Sequence, residues 1–222
     1  MIPRRIHCCW LGGGPKTPLA LRCMESWRVR APGWEIREWD AAGARSLAAA
    51  VPGGAPPFFE DALRARKWAF ASDWVRFAAL FAEGGMYLDC DVELAAEPSA
   101  AGEFIAGQRM ADGSVAMEPA AMALERGSAA AAAVLARLAA APFSTALTIG
   151  EIAAPALAAA GVRVEILPPE VFCPIAPDGK MHRTAATVGI HHCAMGWCGW
   201  RRRLARWLCW HGFSGLVRRL AR

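Results

Sequence analysis

The sequence predicts an α/β fold in which helices flank a mostly parallel central sheet. The first observation is composition: apolar residues make up 55% of the 222 residues, enough for one sizeable core. The second is alternation, because strand-like and helix-like segments follow one another along the chain. The third is an opening run of strand, helix and strand with short connections, which implies a parallel strand pair with a right-handed crossover.

This opening run consists of three segments, "RRIHCCWLGG", "TPLALRCMESWRVRAP" and "WEIREWD". The first ends in a glycine loop, and the third alternates as a strand does. The helix between them begins with Thr17 as its N-cap and Pro18 in its first turn, and Pro32 stops it. Residues 41–59 contain a Pro- and Gly-rich run and predict a less regular excursion.

The next segment, "RKWAFASDWVRFAALFAEGG", predicts a long helix. Its aromatic residues recur at helical spacing and predict one buried stripe, formed by Phe70, Trp74, Phe77 and Phe81. A pair of glycines ends the helix in the usual way. The strand "MYLD" follows at once, so the face of the helix and the end of the strand should lie close together.

The remaining elements continue the alternation. We expect strands at "FIAGQR" and "VRVEIL", and helices through the alanine block and near "GEIAAPALAAAG". The stretches "PPEVFCPI" and "TVGIHHCAMGW" come last in the predicted domain. Since neither an internal repeat nor a flexible linker is visible, the sequence predicts one domain, residues 1–198, followed by an extension, residues 199–222.

Charge is distributed unevenly along the chain. The net charge is +5, yet nine of the 25 basic residues and none of the 20 acidic ones follow Asp178. The first 178 residues therefore carry 16 basic and 20 acidic groups. A body with this balance is not built to bind nucleic acid, so we expect no nucleic-acid partner.

Hydropathy and cysteine usage predict a cytoplasmic protein. No run of strongly apolar residues is long enough for a transmembrane helix, and the N-terminus lacks the apolar stretch of a signal peptide. The eight cysteines contain no C-x-x-C pair, so neither a zinc site nor a disulfide framework is indicated. We expect most of them to be reduced and buried in the core.

An acidic pair, Asp89 and Asp91, follows the strand in "GGMYLDCDVEL". On a strand, residues two apart point to the same face, which would place two carboxylates side by side without a local cation. Mg²⁺ and Mn²⁺ typically pair one or two carboxylates with a phosphate. The alternative is a pair of loop aspartates that cap backbone N–H groups.

A second charged pair lies on the long helix. Asp73 and Arg76 are three residues apart and share a face, away from the aromatic stripe. Beside a metal–phosphate site, an Asp could accept hydrogen bonds from sugar hydroxyls and an Arg could donate to oxygens. The alternative is an ordinary ion pair on a solvated surface.

Four segments in this order resemble glycosyltransferase family 32, whose members have a D-x-D sugar-binding region. They are "IPRRIHCCWLGG", "ESWRVRAPGWEIREWD", "KWAFASDWVRFAALFAEGGMYLDCDVEL" and "IHHCAMGW". The family includes fungal Golgi mannosyltransferases, bacterial capsule and polysaccharide enzymes, and relatives of large glucosylating toxins. The resemblance covers roughly residues 2–197 and implies a GT-A fold, a UDP- or GDP-sugar donor, Mn²⁺ or Mg²⁺, and transfer with retention.

The resemblance also implies roles for five residues on the strand ends and the long helix. Trp10 would stack on or border the nucleotide base. Asp73 and Arg76 would bind the donor sugar. Asp89 would contact the ribose or the water shell of the metal, and Asp91 would ligate the metal directly.

Further roles are implied for residues that line or close the donor site. Tyr87 would form its floor. His191 or His192 would serve as a further metal ligand, and Trp197 would close over the diphosphate. Gly196 stands where the family commonly has a serine, which removes one hydroxyl from this region.

The extension 199–222 reads as a basic amphipathic helix. On a helical wheel its apolar side carries Trp200, Leu204, Trp207 and Leu208, and three arginines lie opposite. Such helices lie in membrane interfaces and are attracted to anionic lipid. The alternative is a terminal helix packed on the domain.

Together with these patterns, the family resemblance implies a metal-dependent, retaining glycosyltransferase, with Asp73, Arg76, Asp89 and Asp91 as catalytic residues. Its acceptor would be a glycan or a lipid-linked molecule in capsule or surface polysaccharide synthesis, and it would act in the cytoplasm or at the inner face of the cytoplasmic membrane. Two alternatives use the same features. One is a metal-dependent nucleotide-sugar hydrolase or phosphoesterase; the other is a non-catalytic, membrane-associated binding protein.

Overall fold

The computed structural model describes residues 1–99, 101–194 and 200–210, except for the side chains of 200–203. The strands are β1 (Arg5–Cys9), β2 (Glu35–Trp39), β3 (Gly85–Leu88), β4 (Val92–Leu94), β5 (Phe104–Arg109), β6 (Val115–Leu124), β7 (Glu165–Leu167) and β8 (Gly189–His191). The helices are α1 (Pro18–Arg30), α2 (Ala41–Ser46), α3 (Pro57–Arg64), α4 (Trp68–Glu83), α5 (Ala129–Ala140), α6 (Ile149–Ala159), α7 (Pro169–Phe172) and α8 (Trp200–Trp210).

Six strands form the central sheet in the order β2-β1-β3-β6-β5-β7. Three of its five neighbouring pairs are parallel, so the predicted α/β fold with a mostly parallel sheet is confirmed. The two antiparallel pairs, β3–β6 and β6–β5, lie at its centre. Strands β4 and β8 form a separate antiparallel pair.

The predicted opening unit is present. Thr17 caps α1 by accepting a hydrogen bond from the Ala20 backbone N–H, and Pro18 occupies the first turn. Strands β1 and β2 then pair in parallel, from Arg5 opposite Glu35 onward. Short connections and a capped helix were enough to predict this unit from the sequence.

Helix α4 is buried on nearly all sides rather than along one stripe. Phe70, Trp74 and Phe77 are buried as predicted, and Phe81 is half-buried. Two of its three charged residues, Asp73 and Arg76, are buried as well, and the third, Glu83, is half-buried at the end of the helix. Its C-cap, Gly84, has a φ of 67°, and a Cβ there would lie 2.7 Å from the Arg126 backbone nitrogen, so only glycine fits this turn.

Apolar layers cover both faces of the sheet, and β3 shows the division. Tyr87 belongs to the cluster built around α3, α4, α5 and α6. Met86 and Leu88 belong to the cluster on the opposite face, which includes Trp27 of α1. Successive side chains of a strand point to opposite faces, which explains this division.

Strand β6 was not predicted, and its central position makes it the main difference from the expected element order. Its sequence, "VAMEPAAMAL", is rich in alanine and contains Pro119, both unusual in a central strand. The pairing with β5 shifts between Ile105 and Ala106, whose partners are Met122 and Glu118. Pro119 lies in the resulting bulge, where a missing N–H is tolerated.

Two other segments differ in detail. The excursion 41–59 contains α2, a short 3₁₀ helix (Leu47–Ala50) and the start of α3. The strand expected over "VRVEIL" is shorter, since β7 begins only at Glu165. Among the described helices, none is both long enough and apolar enough to cross a membrane. The seven cysteines within the described residues are free thiols, three buried and four half-buried.

Candidate functional site

The acidic pair lies in a turn and not on a strand. Strand β3 ends at Leu88, and Asp89, Cys90 and Asp91 lead into β4. The expectation that both aspartates lie on one strand face is therefore wrong. The backbone N–H of Asp89 donates to the Ala120 carbonyl oxygen across 2.8 Å, which anchors the turn to β6.

This turn brings together two carboxylates and an imidazole. Ligand atoms of Asp89, Asp91 and His191 all lie within 4.8 Å of one another. His191 Nε2 is 3.5 Å from Asp91 Oδ1, and Asp91 Oδ2 accepts a hydrogen bond from the Ala194 backbone at 2.7 Å. Strand pairing sets this geometry, because His191 lies opposite Val92, the residue after Asp91. We call these three residues the DXD cluster.

Arg76 joins helix α4 to this cluster. Its Nη2 lies 3.0 Å from Asp73 Oδ1 and 3.4 Å from Asp89 Oδ1. Its guanidinium also stacks 4.9 Å from the centre of the Tyr87 ring. Asp73 and Arg76 are only 6% and 4% exposed, which excludes the alternative of a solvated surface ion pair.

Burial changes the protonation of the acidic groups beside Arg76. Desolvation raises the pKa of Asp73 to about 7, although the charge of Arg76 opposes the shift. Desolvation likewise raises the pKa of Asp89, against Arg76 and helped by the charge of Asp91. The buried Asp73 and the half-buried Asp89 thus compete for one guanidinium. With a pKa of about 7, Asp73 is protonated in a large fraction of the molecules near neutral pH.

The pair of Asp91 and His191 behaves in the opposite way. Burial alone would raise the pKa of Asp91, but the charge and hydrogen bond of His191 and the Ala194 N–H hold it well below its usual range. Burial likewise opposes the protonation of His191, yet Cys193 and Asp91 raise its pKa well above the ordinary value. Asp91 is therefore a carboxylate and His191 an imidazolium when they face only each other.

Tyr87 supports the cluster from β3. Its hydroxyl donates a hydrogen bond to Asp89 Oδ1 across 2.9 Å, and the side chain is 1% exposed. Burial, followed by the charge of Asp89, raises the pKa of the phenol, so it remains a donor. The same Asp89 oxygen thus receives both Tyr87 and Arg76.

The structure adds Glu118, which sequence reasoning missed. Burial raises its pKa, and its electrostatic neighbours include His191, Asp89 and Arg76. It also contributes to the raised pKa of Asp73. Glu118 directly precedes Pro119 in β6, a strand that the sequence did not predict. No local motif pointed to it, because its position depends on the bulge.

Two further predicted site residues, His192 and Trp10, lie outside the DXD cluster. His192 faces away, and its Nε2 is 2.9 Å from Glu93 Oε2. Trp10 follows β1, where its indole N–H donates to the Gly14 carbonyl oxygen at 2.7 Å. Trp197 and Gly196 are outside the described residues.

A cavity of about 400 Å³ opens at Leu11, the residue after Trp10. Its lining includes Leu11 after β1, Ala41 after β2 and Trp68 at the start of α4. In open α/β sheets, ligands bind at the carboxyl ends of the strands. The cavity, Trp10 and the turn after β3 all lie at carboxyl ends of the parallel strands β1, β2 and β3.

Residues 19–108 match the family described as "Glycosyltransferase sugar-binding region containing DXD motif". The match includes α4 and the turn with Asp89 and Asp91, and it confirms the resemblance to the D-x-D glycosyltransferases. The match therefore supports a glycosyltransferase as the broad class of this protein.

Two solved structures are similar in fold. One is titled "PaToxG Glycosyltransferase": it is 15% identical, the TM-score is 0.52, and the alignment covers 70% of this chain and 69% of that one. The other is a transferase mutant with two Cys-to-Ser substitutions, at 11% identity and a TM-score of 0.46, covering 76% and 94%. The first supports the expected GT-A-type fold. A search of curated protein sequences finds no match.

Proposed function

We propose that the chain is a metal-dependent glycosyltransferase that moves a hexose from a nucleoside-diphosphate sugar to a glycan or lipid-linked acceptor. The observation that carries the proposal is the convergence of Asp89, Asp91 and His191 next to the Asp73–Arg76 pair. The segment matched to the sugar-binding region contains four of these five residues.

The DXD cluster fits a divalent cation. It offers carboxylate oxygens from Asp89 and Asp91 and an imidazole nitrogen from His191, within 4.8 Å of one another. Carboxylates suit Mg²⁺ and Mn²⁺, and such ions complete their shells with phosphate and water. When bound, the cation would stabilise the negative charge that develops on the departing diphosphate. His191 must release its proton to become a ligand.

The chain's own groups would position the donor sugar. A buried Asp73 with a pKa of about 7 can accept a hydrogen bond from a sugar hydroxyl as a carboxylate or donate one as an acid. Arg76 holds Asp73 and Asp89 in place through a planar guanidinium, which keeps both carboxyl groups oriented. Tyr87, hydrogen-bonded to Asp89, fixes the floor beneath them.

We propose retention at the anomeric carbon, on the strength of the family resemblance. A front-face route, in which the acceptor attacks from the leaving-group side, needs no protein nucleophile. In that route the chain's contribution is orientation and charge, which fits a site built from hydrogen-bonded carboxylates and a guanidinium.

Helix α8 supports a location at an anionic membrane surface. Leu204 and Trp207 are 46% and 52% exposed, and Arg206 stacks 4.6 Å from the Trp210 ring. An apolar face beside arginines is the composition of interfacial helices. We propose that the extension 199–222 holds the enzyme on the inner face of the cytoplasmic membrane, near a lipid-linked acceptor for surface polysaccharide or capsule synthesis.

The catalytic proposal is tested by donor binding and transfer. We expect UDP- or GDP-sugars to raise the Tm in the presence of Mn²⁺ and not after chelation, because ligands stabilise the state that binds them. Asp91→Asn should lower the transfer rate by at least about 10²-fold, the scale for losing one preorganised electrostatic element. Asp61→Asn, at an exposed helix position, is the control. Cation-independent donor binding would contradict the proposal, and equal turnover without any acceptor would favour the hydrolase.

The membrane proposal is tested separately with vesicles. The protein should sediment with vesicles that contain anionic lipid and stay in solution with neutral ones. The double variant Leu204→Ser/Trp207→Ser should reduce the fraction of protein bound to the vesicles. Met110→Ser, which changes an exposed apolar residue outside α8, is the control. Equal binding of the double variant and the parent protein would contradict a role for α8.

A further inference from the structure

A second group of ligating side chains lies beside the DXD cluster and contains the outward-facing His192. Its imidazole, the thiol of Cys23 and the carboxylate of Glu93 bring ligand atoms within 4.8 Å of one another. Cys23 is fully buried, whereas the Glu93 and His192 side chains are 32% and 22% exposed. The Cys23 sulfur of the group is therefore shielded from solvent, whereas Glu93 and His192 are accessible to it.

Three separate elements supply these ligands, and hydrogen bonds hold the elements together. Cys23 lies on α1, which docks on β4 through two hydrogen bonds: the Trp27 indole N–H to the Val92 carbonyl oxygen at 2.7 Å, and the Leu94 N–H to Ser26 Oγ at 2.8 Å. Glu93 lies on β4 itself. His192 follows β8, which pairs with β4. The three side chains thus converge on a framework that is already assembled.

The spacing and the chemistry of the three groups suit a zinc-type ion. A tetrahedral ion with bonds of about 2.0–2.3 Å sets its ligand atoms roughly 3.3–3.7 Å apart. His192 Nε2 and Glu93 Oε2 are 2.9 Å apart, so small side-chain rotations reach that spacing. A thiolate with an imidazole selects Zn²⁺ over Mg²⁺ or Mn²⁺. With three protein ligands, the exposed side leaves a fourth position for water.

We propose that Cys23, Glu93 and His192 form a second cation site, specific for Zn²⁺-like ions and distinct from the DXD cluster. Arg22 Nε lies 3.8 Å from Glu93 Oε2, and because its side chain is 62% exposed it can move away when a cation binds. The site does not depend on the proposed transferase activity. Its role is structural: it ties α1 to the segment after β8.

The position of this site gives it a consequence for its neighbour. Glu93 is two residues after Asp91, and His192 is next to His191. The His192 backbone N–H also donates to the Asp91 carbonyl oxygen at 3.0 Å. An ion held here would therefore fix the two chain segments that carry Asp91 and His191.

Cobalt binding gives a direct test, with the metal alone as the probe. Co²⁺ added to metal-free protein should produce a thiolate-to-cobalt charge-transfer absorption that Zn²⁺ displaces. Cys23→Ser should abolish this absorption, and Cys209→Ser, a half-buried thiol on α8, should keep it. Asp91→Asn should also keep it, which separates this site from the DXD cluster. The proposal is overturned if the parent protein lacks the absorption or if Cys23→Ser retains it.

A second variant covers the case in which Cys23→Ser does not fold. Glu93→Gln preserves shape and lies partly in solvent, and it should weaken zinc binding at least about 10-fold because a charged ligand is lost. In the parent protein, zinc at 100 times its dissociation constant should raise the Tm by roughly 5–10 °C. The same zinc concentration should raise the Tm of Glu93→Gln less. Equal shifts would overturn the proposal, while donor binding with Mn²⁺ reports on the transferase separately.

Discussion

The guanidinium of Arg76 donates a hydrogen bond from Nη1 to the carbonyl oxygen of Pro119, and the two atoms are 2.9 Å apart. This bond connects helix α4 to the bulge in β6. The bulge disrupts the strand ladder and leaves the carbonyl free to accept from a side chain. Because Arg76 also contacts Asp73 and Asp89, a single buried cation organises the helix, the turn and the central strand.

Loss of this guanidinium should destabilise the fold. Arg76→Gln leaves the buried Asp73 and the half-buried Asp89 without their cation. Breaking a buried charge pair such as Asp73–Arg76 costs about 3–5 kcal/mol. The free energy of unfolding, measured by urea denaturation, gives the value. Arg64→Gln is the control, since Arg64 pairs with Asp61 at the same spacing on an exposed helix surface. Its cost should stay within about 1 kcal/mol.

An Arg76→Lys variant refines this test. Lysine keeps the charge but loses the planar fork that reaches several acceptors at once. We expect a stability between those of Arg76→Gln and the parent protein. If both variants at this position unfold at the same urea concentration as the parent protein, the central role of Arg76 is wrong.

The fold was predictable from the sequence where local signals decide it. The caps of α1, the alternation in β2 and the glycines after α4 each act within a few residues. Strand β6 was missed because its alanines and Pro119 favour no strand locally. Its place depends on pairing with β3 and β5, which the sequence does not display.

The candidate site divides in the same way. Asp73, Arg76, Asp89 and Asp91 lie in one continuous segment and could be named from it. Glu118 could not, because only the bulge brings it there. The two histidines separate at the end of β8: His191, its last residue, joins the DXD cluster, whereas His192, the next residue, contacts Glu93. Adjacent residues of an extended chain point in opposite directions, so the sequence alone could have predicted that only one of them joins the cluster.

The raised pKa of Asp73 predicts a pH-dependent difference between the parent protein and Asp73→Asn. The folded-state pKa is about 7 and the ordinary value is 3.8, so the native state holds a proton that the unfolded chain has lost. The stability that this group contributes is complete below the lower pKa and is lost as the pH rises through the upper one. Asparagine imitates the protonated acid at every pH.

Asp73→Asn should therefore gain stability relative to the parent protein between pH 5 and pH 8, while its transfer rate falls. Urea midpoints at several pH values within this range measure the difference. Asp61→Asn, on an exposed helix surface, corrects for the loss of a carboxylate. If the urea midpoints of Asp73→Asn and the parent protein change with pH in the same way, the folded state does not raise the pKa of Asp73 and the prediction is wrong.

Glu118 should act on the reaction more than on the fold. Its carboxylate raises the pKa of Asp73 through charge repulsion and lies partly exposed near Asp89 and His191. Glu118→Gln removes that repulsion, so the free energy of unfolding should stay equal or rise. The transfer rate should fall at least about 10-fold, because an acceptor for substrate hydroxyls is weakened. Glu165→Gln, at an exposed residue of β7, is the control. If Glu118→Gln leaves the transfer rate unchanged, Glu118 is not part of the functional site.

Trp10 should contribute to nucleotide affinity through its ring. It follows β1 and directly precedes Leu11, which lines the 400 Å³ cavity. Its indole N–H already donates a hydrogen bond to the Gly14 carbonyl oxygen. Stacking of a base on an aromatic side chain is worth about 1–3 kcal/mol. Trp10→Ala should therefore weaken the binding of UDP or GDP roughly 5- to 150-fold in calorimetry with Mn²⁺ present. Trp10→Phe keeps an aromatic face and should lose less, and equal affinities for all three proteins would mean that the base binds elsewhere.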